Sequence, residues 1–289
     1  MVSAAVWEIG YLISAALFIF GIKQLSSPRT APRGNRLGAM GMFLAVLVTL
    51  ARMYTEEVIG WELIVGGLAI GILIGSLMAT KVEMTGMPEL VALFNGFGGG
   101  ASALVGMSEA FSRISTEGGI PEGIELYATW VAIGLSGLVG WLTLTGSLVA
   151  MGKLMGGFYI PFTKKDDRGR RKWVNFPTWG PSWLNIVKVG LLVGGLALIG
   201  LMIEEPSNTD YIYGLVGVSC LLGILFVLPI GGADMPVVVS LLNSLSGIAA
   251  AFTGFVIGNN VLIIAGSMVG AAGLVLTFVM CKAMNRTLT

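Results

Sequence analysis

Two asparagines occupy matching places within long apolar stretches of the chain. Asn95 follows Met87 by eight residues, and Asn243 follows Met235 by the same number. Eight helical residues advance about 12 Å, which would bring both carboxamides near the middle of a hydrocarbon core about 30 Å thick. An amide without partners is costly there, so we expect both side chains to face the interior of a helix bundle. An interhelical hydrogen bond and a role in proton conduction would each explain such a pair.

Serine hydroxyls could extend this polar character. Ser102, Ser147, Ser244 and Ser246 lie in the same apolar stretches or in adjoining ones, and we place Ser102, Ser147 and Ser246 with the two asparagines in a candidate proton pathway. Neither amides nor serine hydroxyls titrate near neutral pH. The chain has no histidine, and we predict no acid or lysine at mid-depth. If protons cross here, a water wire or a group from another chain must hold them.

The composition indicates which elements position these residues. Of 289 residues, 55% are apolar and only 11% are charged, with a mean hydropathy of +0.87, whereas soluble domains carry about 25% charged residues. The apolar runs are each long enough to cross a bilayer as a helix. We predict an all-α membrane protein of nine transmembrane helices, near residues 5–23, 38–54, 60–80, 86–108, 127–152, 184–204, 211–230, 234–257 and 261–283.

The distribution of charge predicts the orientation of the chain. In this nine-helix arrangement Arg52 and Arg113 alone among the 17 Lys and Arg residues fall on one face. Basic residues concentrate in cytoplasmic loops, so we place the N-terminus outside and the C-terminus in the cytoplasm. The net charge of +1 gives no reason to propose nucleic acid as a partner.

The longest predicted loop, 153–183, mixes a basic run with several aromatic residues. Such a loop is typical of the membrane interface, where aromatic rings and cations anchor helix ends. A docking surface for a soluble partner is the alternative interpretation.

An internal repeat organises the chain. Residues 87–106 align without gaps on 235–254, with nine of twenty positions identical, and a gapped match joins Lys153 to Lys282. We therefore predict a single membrane domain, 1–289, of one helix followed by two parallel four-helix repeats. Its parts are a first helix and loop (1–37), repeat 1 (38–183) and repeat 2 (184–289).

Each repeat contains a helix that begins with Met-Pro, and proline is well tolerated in a first turn. Asp234 precedes the second of these helices as a natural N-cap, while Glu89 lies in the first turn of the other, where an acid meets the positive helix end. Gly96 and Gly100 have the small-residue spacing that favours close helix packing.

Four segments resemble signature stretches of the beta subunit of proton-translocating NAD(P) transhydrogenase. They are MPELVA at 87–92, TGSLVAMGK at 145–153, GGADMPVVVSLLNS at 231–244 and CKAMNR at 281–286. Together with the helix pattern, the resemblance covers nearly the whole chain from the third helix onward.

The resemblance implies a division of labour between chains and domains. In this family hydride passes from NAD(H) on the alpha subunit to NADP(H) on a soluble part of the beta chain, and the membrane domain couples this transfer to inward proton flow. The chain is expected to bind no cofactor itself. Its expected partners are the alpha subunit with its transmembrane helices, the NADP(H)-binding domain, a second copy of the assembly in a homodimer, and lipid. A bacterial inner membrane is the expected location.

The resemblance also implies roles for individual residues. Asn243, Ser147 and Asp234 stand at family positions implicated in proton conduction or in signalling to the NADP(H) domain, and Arg286 lies where the chain would continue into that domain. We assign Asp234, Glu89 and Arg286 to coupling with the nucleotide domain.

Two departures from the family pattern qualify this expectation. Some members carry a histidine where this chain has Asn95, whereas others have asparagine there and a histidine on an alpha-subunit helix; this chain fits the second pattern. The sequence also stops at Thr289, so we expect either that the chain is truncated or that the NADP(H) domain is a separate chain. In both cases we expect this chain alone to transfer no hydride. A secondary transporter or channel for a small solute is the alternative function, and a passive anchor is a third.

Overall fold

Helices account for most of the structure, a computed structural model that describes residues 4–55, 60–116, 118–121, 123–156, 158–159, 173–174, 178 and 180–285. Within these ranges nine helices are long and apolar enough to cross a membrane, which confirms the predicted fold class. They are α1 (Ala4–Leu25), α2 (Ala31–Thr55), α3 (Trp61–Lys81), α4 (Met87–Ser115), α5 (Ile124–Leu154), α6 (Trp183–Glu204), α7 (Thr209–Val227), α8 (Met235–Val256) and α9 (Asn260–Ala283).

Between α5 and α6 the described chain includes two short strands. β1 (Phe158–Tyr159) pairs antiparallel with β2 (Trp173–Val174). Most of the predicted loop 153–183 lies outside the described residues, so both interpretations of that loop stay predictions.

Several helices are longer than their apolar runs. α2 begins at Ala31 rather than near 38, and α4 continues to Ser115 rather than ending near 108. Hydropathy marks only the part of a helix that lies in hydrocarbon. Long basic side chains such as Arg33 and Arg36 can extend their charged ends into water, so the backbone stays helical beyond the lipid core.

The chain divides into an N-terminal unit, Met1–Lys81, and a core unit, Val82–Thr289. In the N-terminal unit α1 packs against α2 through small residues, because a Cβ added to Gly34 would lie 2.7 Å from the carbonyl oxygen of Gly21. The hydroxyls of Tyr11 and Thr49 also meet at 3.0 Å. α3 has no buried residue.

The core unit is built from two tightly packed helix pairs, α4 with α5 and α8 with α9, and α5 also contacts α6, α7 and α8. Glycines let the paired backbones approach closely. A Cβ on Gly99 would meet the carbonyl oxygen of Gly140 at 3.0 Å, and one on Gly247 would meet the backbone nitrogen of Gly270 at 2.5 Å. Without a strong hydrophobic driving force inside lipid, such close packing holds membrane helices together.

Two apolar clusters fill the core unit around α5. One lies between α5, α6 and α7 and surrounds the fully buried Trp130. The other joins α5 and α7 to the start of α8, where Met235 and Leu242 are fully buried. α5 therefore contacts α4, α6, α7 and α8, whereas α9 packs against α8.

The backbone repeats the same local geometry at the two Met-Pro helices. Each follows a single 3₁₀ turn, Met84–Gly86 before α4 and Gly232–Asp234 before α8. The residues before the helices match in conformation, with φ and ψ of −89° and 0° at Gly86 and −92° and 0° at Asp234.

This turn also changes the role expected of Asp234. The residue does precede α8, but its side chain makes no capping hydrogen bond. An N-cap side chain reaches the first turn from an extended backbone, whereas Asp234 is in a helical conformation because it closes the 3₁₀ turn. Asp234 therefore occupies the expected N-cap position of α8 but makes no capping hydrogen bond with its side chain.

Candidate functional site

Asn95 links three helices of the core unit. Its side-chain nitrogen donates a hydrogen bond of 3.0 Å to the hydroxyl oxygen of Ser147 on α5. Its main-chain oxygen accepts a hydrogen bond of 3.1 Å from the hydroxyl of Ser246 on α8. Three members of the predicted pathway therefore meet at one place, and Ser147 is fully buried there.

The local sequence explains why these groups can meet. Gly96 follows Asn95, and a Cβ at Gly96 would lie 3.0 Å from the Cβ of Ser147 and 3.3 Å from the main-chain oxygen of Leu144. A larger residue at position 96 would push α4 away from α5. The small residue thus sets the short helix separation that the amide-to-hydroxyl bond requires.

One atom of this cluster lacks a partner among the described residues. The side-chain oxygen of Asn95 is buried and accepts no hydrogen bond from them. Leaving a buried acceptor unsatisfied costs about 1–3 kcal/mol, so this oxygen is a favourable place for a water or another donor to bind.

Asn243 is placed differently from its counterpart in the other repeat. The expectation that both asparagines face the bundle interior holds for Asn95, which is half-buried, but is wrong for Asn243, which is exposed. Its side chain makes no hydrogen bond to any part of the chain that the structure describes.

Packing on both sides of α8 explains this outward position. On one side Ser244 donates 2.6 Å to the main-chain oxygen of Gly270 on α9, and on the other side Leu242 is fully buried in the cluster with α5. Asn243 lies between Leu242 and Ser244 in the sequence, and its side chain is exposed while theirs are buried. Ser246 is three residues further along, and side chains spaced by three lie on the same helix face, so Asn243 borders the Asn95 cluster from outside.

Ser102 belongs to a second polar cluster rather than to the Asn95 cluster. Its main-chain oxygen accepts hydrogen bonds from Ser136 on α5 at 3.0 Å and from Thr253 on α8 at 3.2 Å, and the two hydroxyls lie 2.7 Å apart. The hydroxyl of Ser102 instead bonds Gly98 within α4 at 3.2 Å. Sequence reasoning missed Ser136 and Thr253, since single hydroxyls in apolar runs carry no distinguishing pattern.

The residues assigned to coupling lie at the ends of helices. Glu89 is half-buried in the first turn of α4, and Asp234 is half-buried in the turn before α8. Arg286 lies outside the described residues. Nearby, the ammonium of Lys153 at the end of α5 donates to the main-chain oxygens of Val227, Leu228 and Ile230, an arrangement that the sequence did not predict.

The chemistry available at the Asn95 cluster is that of hydrogen bonding. In the described part of the chain no group of three or more His, Cys, Asp or Glu could hold a metal ion. Amides and hydroxyls can orient water and pass hydrogen bonds along, but they supply no nucleophile or redox group of their own. The arrangement suits the conduction of protons or a small polar solute better than covalent catalysis.

Comparison with known proteins identifies the family of the chain. Residues 7–289 match the family described as NAD(P) transhydrogenase beta subunit. The chain belongs to this family. Two curated relatives, both named NAD(P) transhydrogenase subunit beta and both from Rhodospirillum rubrum, are 40% identical to the chain over 283 residues, which cover 96% of this chain and 55% of each relative.

Membership of the transhydrogenase beta subunit family agrees with the resemblance seen in the sequence. It does not favour the alternative of a secondary transporter or channel for a small solute. The chain spans about half the length of the curated relatives it matches. With its nine candidate spans in the described ranges, it is a multi-pass membrane protein of this family.

Proposed function

We propose that this chain is the proton-conducting membrane part of a transhydrogenase and couples inward proton flow to hydride transfer from NADH to NADP⁺. The transfer itself would take place on soluble domains that bind NAD(H) and NADP(H). The family assignment supports the reaction, and the polar cluster in the core unit supports the proton step.

The observation that carries the proton step is the environment of Asn95. Its side-chain nitrogen is held by Ser147, so its buried oxygen has a fixed direction and no partner among the described residues. A fixed acceptor inside a membrane can bind a water or a protonated donor at a defined point. The hydroxyl of Ser246 on α8 donates to the main-chain oxygen of Asn95 on α4. Movement of α8 relative to α4 would therefore change the site.

The exposed carboxamide of Asn243 supports the proposal that a helix from another subunit packs against this surface of α8. Burial of an amide in hydrocarbon without a hydrogen bond is unfavourable, and Asn243 has no partner among the described residues of its own chain. A transmembrane helix from the alpha subunit could supply both the missing hydrogen bond and a group that titrates. Because the chain has no histidine, either such a group or a water wire would have to hold the proton.

The remaining features of the assembly follow from the same proposal. The chain would lie in a bacterial inner membrane with its C-terminus in the cytoplasm, because the basic residues concentrate on that face. The alpha subunit and an NADP(H)-binding domain would be its partners, and the assembly would be a homodimer. The chain alone would bind neither nucleotide and would transfer no hydride.

Reconstitution tests the proposal directly. The chain is assembled with the alpha subunit and both nucleotide domains in liposomes that contain a pH-sensitive dye, and NADP⁺ reduction by NADH is started from outside. We expect nucleotide-dependent proton movement that an uncoupler abolishes. Hydride transfer without proton movement would contradict the proposal, and so would solute uptake by this chain alone without nucleotides, which would instead support a transporter.

A further inference from the structure

The ammonium of Lys153 is held by three main-chain carbonyls at the end of another helix. Lys153 lies in the last turn of α5 and donates 3.2 Å to the oxygen of Val227 and 2.6 Å to that of Ile230, and it also donates to Leu228. We call these three oxygens the carbonyl nest. A lysine ammonium has three donors, so the nest satisfies all of them.

The nest combines two sources of attraction for a cation. Val227 is the last residue of α7, and the final carbonyls of a helix have no partner within it and carry the negative end of its dipole. Ile230 belongs to the connection 228–234, which leads from α7 through the 3₁₀ turn to α8. Hydrogen bonds from a charged donor are stronger than those between neutral groups.

This contact involves α5 directly and α8 through the connection 228–234, and both helices contribute to the Asn95 cluster. Ser147, which holds the Asn95 side chain, lies six residues before Lys153 on α5, about 9 Å along the helix. On the other side of the contact, the connection 228–234 includes Asp234 and leads into α8, which carries Ser246. A displacement of that connection must therefore move the end of α5 or break the three hydrogen bonds.

The second repeat provides a natural comparison. Lys282 occupies the matching place at the end of α9, where the sequence aligns with Lys153. Its side chain is exposed and donates to no carbonyl among the described residues. The two lysines therefore share position and charge in the repeat, but only Lys153 fills a carbonyl nest.

We propose that Lys153 is a positioning residue that transmits movement between the connection 228–234 and the Asn95–Ser147 contact. The proposal rests on the proposed function, because it assigns a part in proton coupling to a residue outside the polar cluster. The carbonyl nest is then a cation site, and the cation that it holds, the ammonium of Lys153, is part of a side chain of α5. If that attachment matters, a free cation should refill the nest without restoring the coupling.

The test compares Lys153→Met with Lys282→Met in the complete enzyme reconstituted in liposomes. Protons translocated per hydride transferred are measured for each variant. We expect Lys153→Met to lower this ratio about fivefold to tenfold, the size seen when a residue of a coupling network is lost, while hydride exchange between bound nucleotides continues. Lys282→Met should leave the ratio unchanged, and Lys153→Arg should restore much of it by presenting another charged donor.

A second measurement separates positioning from simple stabilisation. Methylammonium is added both to Lys153→Ala and to the unmodified enzyme, and thermal unfolding and the proton ratio are followed together. The ratio of Lys153→Ala is expressed relative to that of the unmodified enzyme at the same methylammonium concentration, because methylamine itself dissipates a pH gradient. Recovery of unfolding temperature without recovery of the ratio supports the proposal, because the cation then fills the nest but no longer links it to α5. Recovery of both, or equal ratios in Lys153→Met and Lys282→Met, overturns it. An absence of proton coupling in the unmodified enzyme would instead overturn the proposed function.

Discussion

The side-chain nitrogen of Asn95 donates a hydrogen bond of 3.0 Å to the hydroxyl oxygen of Ser147, and this bond ties α4 to α5. Interhelical hydrogen bonds in membrane proteins contribute about 0.6 kcal/mol on average and up to about 1.7 kcal/mol. We expect a double-mutant cycle of Asn95→Ala and Ser147→Ala to give a coupling energy in that range. Reversible unfolding of the chain in mixed micelles provides the four free energies.

A control cycle pairs Asn95→Ala with Ser219→Ala. Ser219 is fully buried but donates 2.6 Å to Leu215 within its own helix, so its substitution should add independently to that of Asn95. Equal coupling energies in the two cycles would show that the Asn95–Ser147 bond contributes nothing specific.

Substitution of Asn243 tests the outward-facing carboxamide. Because this exposed side chain makes no hydrogen bond to the described residues, we expect Asn243→Leu to change the free energy of unfolding of the isolated chain by less than about 0.5 kcal/mol. In the complete enzyme the same variant should abolish proton-coupled turnover and leave hydride exchange between bound nucleotides largely intact.

Phe255→Leu is the matched control for Asn243→Leu, since Phe255 is 60% exposed on the same helix and is apolar. Its turnover should resemble that of the unmodified enzyme. Unchanged proton pumping in Asn243→Leu would remove Asn243 from the mechanism, and loss of pumping in both variants would point to a general defect of the α8 surface.

Two adjacent glycines on α4 allow the helix packing to be tested. A Cβ at Gly99 would lie 2.8 Å from the Cβ of Thr143, whereas one at Gly98 meets nothing within 4 Å. We expect Gly99→Ala to destabilise the chain by about 1–3 kcal/mol, as overpacking does. Gly98→Ala should have no destabilising effect, because alanine favours a helix more than glycine.

Thermal unfolding in detergent measures both glycine variants side by side. Equal unfolding temperatures would contradict the close α4–α5 approach that the structure shows. A selective loss in Gly99→Ala should also weaken the Asn95–Ser147 contact, which depends on the same helix separation.

The fold was largely predictable because hydropathy, helix length and the repeat all indicate the same elements. Met87 and Met235 are the first residues of α4 and α8, close to the helix starts near 86 and 234 that the sequence predicted. Helix ends such as Ala31 were less predictable, since the polar residues beyond the hydrocarbon core give no signal in an apolar pattern.

The polar cluster was only partly predictable. The sequence identified Asn95, Ser147 and Ser246 but could not show that Asn243 is exposed, because the repeat fixes its depth along α8 and not the face it occupies. Which face is buried depends on tertiary contacts of α8 with its neighbours. The Lys153 contact was not predicted for a similar reason. Its partners are main-chain oxygens, and every residue type has one, so the sequence does not distinguish them.

Thr253→Val should separate structural hydroxyls from those needed for conduction. The hydroxyls of Thr253 and Ser136 both lie within hydrogen-bond distance of the main-chain oxygen of Ser102, so that oxygen keeps a possible donor in Ser136 when Thr253 is replaced. We expect a loss of about 0.5–1.5 kcal/mol in the free energy of unfolding, the usual contribution of one hydrogen bond, and no change in protons moved per hydride. Ser147→Ala, which removes the partner of Asn95, should lower that ratio. If Thr253→Val lowers the ratio as much as Ser147→Ala does, the conduction path must include the Ser102 cluster as well.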